Sequence, residues 1–365
     1  MRQIILLLLS IALINSAFGQ IDENKLKQLN DSIAAVESKY KEKDLKYQQV
    51  IKDLNDKLES SANLSTRLDA LEKKQNIIET INEDAYIKNI ELTQLRYEGG
   101  LLVIKDIMLL LDALESQYIS LDFQQSYNDI SNPNQYPEYA QNIAFLKKKL
   151  VKSGLTLPDI NLGNPILNVA YTITRSVVSD QPDKDNKIGE LVCILDFSSQ
   201  ASQNLNIVKN DLKYLQFTLS KMIINYEEIF QNYALIVGYN KSFRVYLADP
   251  NDNMAELTKT YFASLKVKDH LTQEKELKSL RFQLKKIIDA HLEFDIYIRQ
   301  GLAYYEKFEL IMADLVPSCT IVALQAKLTR SHATVKTKLT NAKKSFENAY
   351  KDKIKQSYIR QLNEG

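Results

Sequence analysis

A chain of 365 residues with only 9 glycines, 7 prolines and no tryptophan holds too little turn chemistry for a β-sandwich, a barrel or a doubly wound sheet, and points to an all-α fold. Its 47 basic and 46 acidic residues nearly cancel, with a formal net charge of +1. No basic excess suits nucleic acid, so any electrostatic role must be local.

The chain opens with Met1-Arg2 and an apolar run over 4–14 broken only by Ser10, which is too short to span a bilayer. Ala17 and Gly19 supply two small residues spaced one apart, the pattern a signal peptidase cuts after. Residues 1–19 therefore read as a leader removed before Gln20. No cysteine adjoins the cut, so the exported chain, periplasmic or secreted, is not expected to be a lipoprotein.

Residues 20–98 read as an N-terminal coiled coil. Between 24 and 96 there is no Gly or Pro, and two lines of heptad-spaced sites run through the segment. Leu26, Ile33, Tyr40, Tyr47, Leu54, Ser61, Leu68, Gln75 and Asn82 lie on one. Leu29, Val36, Lys43, Val50, Lys57, Leu64, Leu71, Ile78 and Ala85 lie on the other. A seam this long predicts one continuous helix of roughly 100 Å that pairs in a left-handed coiled coil. Its contact residues are Leu26, Leu29, Ile33, Val36, Val50, Leu54, Leu64, Leu68, Leu71 and Ile78. Polar Lys43, Lys57, Gln75 and Asn82 weaken the seam, a cost usually tolerated for register or partner choice. Lys39 with Asp44, and Arg67 with Glu72, have the five-residue spacing that sets opposite charges across a parallel dimer. No turn signal is read within the segment, so self-association or capture of a protein partner is expected in place of a hairpin, with packing back along the C-terminal bundle through Gly99-Gly100 the open alternative.

Gly99-Gly100 predicts a hinge, since two adjacent glycines cost about 2 kcal/mol in a helix interior. It opens a helical bundle over 99–365, whose first stretch, 101–111, reads as a helix buried on most sides. Residues 122–188 collect five of the prolines and form an irregular head, with short helices near 138–152 and 166–179; a β-hairpin is the alternative there. The clearest periodicity spans 189–237, where Ile194, Ala201, Val208, Leu215, Met222 and Ile229 share one line. A break near Gly238 and 249–251 leads to helices over 254–268 and 274–312. The last helix is expected from Pro317, capped by Ser318, to about 361. Helices this long joined by short turns predict an elongated antiparallel bundle.

Cys193 and Cys319 can close one disulfide in an oxidising compartment, with two buried thiols the alternative. Over 327–360, ten basic residues face only Glu347 and Asp352, a net charge of +8. Lys336, Lys343, Lys344, Lys351 and Lys355 give this helix a basic face that suits an anionic membrane surface or an acidic polymer, or simply a solvated C-terminal helix.

Chemistry finds no foothold. The three histidines, His270, His291 and His332, have no metal-ligand spacing, and His291 with Asp295 one turn on lacks a third ligand. There is no GxSxG, no phosphate-cradling glycine loop and no CxxC. Tyr40, Tyr47, Tyr226, Tyr233 and Tyr305 sit on seam lines as core fillers. No catalytic residue, metal or cofactor is expected. The pattern suits a non-enzymatic structural or adaptor protein of the cell envelope or secreted space, acting through coiled-coil contacts. The alternatives are a membrane-active helical protein of the α-pore-forming-toxin kind and a periplasmic holdase-type chaperone.

Overall fold

The computed structural model describes residues 23–121, 123–152, 186–249, 252–319 and 321–350. Among them every regular element is a helix. The order is α1 (Glu23–Ser60), α2 (Leu64–Leu121), α3 (Phe123–Ser131), a 3-10 turn (Pro133–Gln135), α4 (Pro137–Lys152), α5 (Asn186–Leu235), α6 (Phe243–Ala248), α7 (Met254–Leu265), α8 (His270–Asp314) and α9 (Val322–Tyr350). The leader and its cut before Gln20, the 166–179 helix, Lys351, Lys355 and the side chain of Leu26 lie outside the described residues.

The predicted single rod over 24–96 is instead two helices, α1 and α2, with a break at 61–63. Its cause is local side-chain chemistry. Asn63 Oδ1 accepts from the Ser65 backbone N–H at 2.9 Å, and Ser61 Oγ accepts from the Asn63 N–H at 3.3 Å. Short polar side chains thus satisfy amides that a helix start leaves unpaired, as an N-cap does. The chain then doubles back. Lys39 reaches Glu91 at 3.2 Å, Lys43 and Tyr47 reach Asp84 at 2.8 and 2.7 Å, and Lys74 reaches Asn55 at 2.8 Å. As the α1 number rises the α2 number falls, so α1 and α2 are antiparallel, an αα-hairpin with a three-residue apex. Tyr40 and Leu54 of α1 and Ala70 and Ile90 of α2 are buried.

The predicted hinge at Gly99-Gly100 is also corrected. Both glycines are buried inside the continuous helix α2. Packing explains Gly100: a Cβ there would stand 2.5 Å from Tyr233 Oη and 3.1 Å from Ile287 Cδ1. The helix accepts the propensity cost of glycine because a tyrosine needs the space.

The chain divides into two compact units. One comprises α1, α2 to Asp112, α5 from Met222, and α6, α7 and α8 to Phe294; the other comprises α2 from Ala113, α3, α4, α5 to Lys221, α8 from Asp295, and α9. Three helices, α2, α5 and α8, contribute residues to both.

In the first unit, α5 ends where Gly238 adopts φ 84°. Tyr239 N–H then bonds Ala234 O at 3.1 Å and Gly238 N–H bonds Leu235 O at 3.0 Å, the paired bonds of a Schellman ending. The short helix α6, absent from the sequence reading, follows. Ser242 caps it, and it brings Phe243 and Tyr246 against Phe230 with ring centroids 5.0 and 5.3 Å apart.

In the second unit, Cys193 of α5 and Cys319, before α9, are joined by a disulfide with a Cα separation of 5.3 Å. The last helix starts at Val322, so Ser318 does not cap it; instead Gln325 Nε2 donates back to Pro317 O at 2.5 Å. Gly301 on α8 leaves room for the Phe346 ring of α9, which would overlap any Cβ there. The proline-bearing 123–152 stretch keeps its helix α4, and Asn132 Oδ1 caps the preceding turn by accepting from Asn134 N–H at 3.1 Å.

Candidate functional site

No cluster of three or more His, Cys, Asp or Glu able to hold a metal occurs among the described residues. His270 packs edge-on against Tyr86 at 4.1 Å, His332 Nε2 bonds Met312 O at 2.7 Å, and His291 is buried. Asp295, the suggested companion of His291, pairs with Arg299 at 2.7 Å.

Ion pairs join the two arms of the hairpin. Burial pushes the Asp84 carboxyl up, but hydrogen bonds from Lys43 and Tyr47 outweigh it and hold the group below its ordinary value. Glu91 follows the same logic, lowered against burial by Lys266 at 3.1 Å and Lys39 at 3.2 Å. Burial, aided by Glu91, pushes the Tyr40 hydroxyl up to about 12. These groups tie α1 to α2 and Glu91 to α7's C-terminal end.

The basic face of α9 is partly neutralised. Lys343 meets Glu309 at 2.7 Å, Lys327 pairs with Glu138, and Lys338 donates to Ser126 at 2.7 Å. The hydrogen bond to Glu309 raises the pKa of Lys343. Lys336 and Lys344 are exposed.

What the hairpin does not cover is more informative. Along the predicted seam, Tyr40 and Leu54 turn inward and Leu29, Ile33 and Val36 are half-buried, whereas Leu64, Leu68, Leu71 and Ile78 are 71%, 57%, 51% and 38% exposed. Val50 is exposed on α1. Because α1 packs on the line through Ala70 and Asp84, the seam through Leu64, Leu71 and Ile78 lies roughly a third of a turn round α2, at about 100° per residue. It is a four-residue apolar stripe at the end of a hairpin, where a solvated helix would carry polar side chains.

Other surface features stand beside it, among them exposed Leu292 and Ile296 on α8. A cleft of about 560 Å³ beside the N-terminal part of α1 is lined by Leu29, Leu95, Leu102 and Met254, with Lys25, Lys259, Glu98 and Asp252 at its walls; its charges are mixed and select no ligand class. In the second unit α5 exposes Ile207, Tyr214 and Phe217, but Lys221 lies over the Phe217 ring at 4.3 Å and Tyr214 packs edge-on to Tyr304 at 6.3 Å. Those rings have partners in the chain, and among the described residues the α2 stripe has none of comparable size.

No family model, no curated protein and no solved structure matches this chain.

Proposed function

We propose that this protein is a non-enzymatic, exported adaptor of the cell envelope or secreted space, which works by offering the outward seam of its N-terminal hairpin to a helical protein partner. The observation that carries this reading is the exposure of Leu64, Leu68, Leu71 and Ile78 in one stripe at heptad-like spacing, since four large apolar side chains in water favour pairing by about 1.5–3 kcal/mol for each one fully buried. Export is supported by the leader pattern over 1–19 and by the Cys193–Cys319 disulfide, which persists in oxidising compartments. Within the first unit, the Tyr97–Tyr233 hydrogen bond ties α2 to α5, and the Glu91–Lys266 pair ties it to the end of α7. Among the described residues no helix is long and apolar enough to cross a membrane, so the membrane-active alternative draws no support from them.

The test is an apex deletion that removes 48–80 and rejoins Tyr47 to Ile81 through a short turn. The shortened chain keeps its thermal melt and loses association with its partner. A shortened chain that associates as before contradicts the reading.

A further inference from the structure

Resting on that reading, we infer that the occupant of the stripe is a second copy of this chain, with the two α2 seams parallel and in register. The seam has a heptad assignment of its own. Leu64, Leu71, Ile78 and Ala85 take the d positions, and Leu68, Gln75 and Asn82 take the a positions. All seven side chains are exposed, so one chain presents a complete half of a two-stranded interface from the apex to residue 85.

Charge selects both the partner and its direction. Arg67 and Lys74 fall at g, and Glu72 and Glu79 fall at e. In a parallel two-stranded coil each g residue faces the e residue five positions on in the other strand. Arg67 then meets Glu72 of the second copy, and two-fold symmetry repeats the pair, while Lys74 at the next g position is held by Asn55 of α1 at 2.8 Å. Antiparallel packing would instead set g against g and e against e, bringing Arg67 beside Lys74 and Glu72 beside Glu79. Both Arg67 and Glu72 are exposed, so each is open to an outside charge. Polar residues at a, here Gln75 and Asn82, favour two strands in a fixed register at a cost in stability. With only three heptads and two polar layers, the dimer is weak and concentration-dependent.

The experiment is sedimentation equilibrium on the oxidised mature chain: wild type, Arg67→Glu, Glu72→Arg, both together, and an equimolar mixture of the two single variants. Wild type dimerises reversibly. Each single variant sets like charges across both symmetry-related pairs and weakens the dimer roughly ten-fold. The double variant restores attraction, and so does the mixture, as a heterodimer. In parallel, the Leu64→Cys variant cross-links to itself under mild oxidation, because d positions of equal number are adjacent only in a parallel, in-register pair. Circular dichroism melts of all variants match wild type, since every changed residue is exposed. A double variant no tighter than the singles, a mixture that fails to pair, or a Leu64→Cys variant that forms no cross-link overturns the inference. A wild type that stays monomeric up to about 100 µM, well above the range of a functional weak dimer, overturns it too; if the apex deletion still abolishes partner binding in that case, the adaptor reading survives with a different partner.

Discussion

Tyr97 and Tyr233 stack nearly parallel with ring centroids 4.3 Å apart, and each hydroxyl donates to the other residue's backbone carbonyl, at 2.9 Å from Tyr97 and 3.1 Å from Tyr233. The exchange clamps α2 to α5, and Gly100 lets the two helices approach closely enough to make it. Gly100→Ala therefore forces a Cβ against the Tyr233 hydroxyl and is expected to cost about 1–3 kcal/mol through overpacking, despite the better helix propensity of alanine. Tyr97→Phe removes one hydrogen bond and keeps the ring, costing about 0.5–1.5 kcal/mol. Urea unfolding of the two variants checks the order; a stabilised Gly100→Ala protein would contradict the clamp.

The Cys193–Cys319 disulfide joins residues 126 apart in sequence. Closing so long a loop restricts the unfolded chain and is expected to contribute about 2–4 kcal/mol. Replacing both cysteines by alanine should lower the melting temperature while leaving the far-ultraviolet helical signal intact at room temperature. Equal melting temperatures for the two proteins would show that the bond adds nothing.

The hairpin should loosen in acid. The Asp84 and Glu91 carboxyls are held below their ordinary values of 3.8 and 4.5, so their charged forms are favoured in the folded state. Their stabilising effect is present above those ordinary values and fades as pH falls through the lower folded values. Melting temperature measured from neutral pH downward should thus drop below about pH 4.5, and Asp84→Asn with Glu91→Gln should flatten that drop. An unchanged acid slope in the double variant would remove these two groups as its cause.

Helix type was legible along most of the chain because periodicity reports burial directly. The long helix α5 and its end at Gly238 follow from the line through Ile194, Val208 and Leu215 and from one glycine able to adopt a positive φ. Three features were not. The apex at 61–63 carries no Gly or Pro, and the only signal was the polar run Ser60-Ser61 followed by Asn63, residues that also occur on exposed helix faces and so do not mark a turn by themselves. Gly99-Gly100 read as a hinge by propensity alone, because the tyrosine that needs the space lies 133 residues beyond Gly100 in sequence. The boundary between the units falls inside three helices, where no local composition marks it. The seam itself was readable, but not that a hairpin would turn Tyr40 and Leu54 inward and leave Leu64, Leu68 and Leu71 outside.

The central claim is that the α2 stripe exists for contact with another molecule and contributes little to the fold of its own chain. Leu64→Lys combined with Leu71→Lys tests it most directly, with light scattering for mass and a thermal melt on the same sample. The expected result is loss of association with a melt within a few degrees of wild type, since exposed substitutions usually stay within about 0.5 kcal/mol each. A variant that melts far below a wild type that was itself monomeric would contradict the claim and make the stripe an internal part of a single bundle.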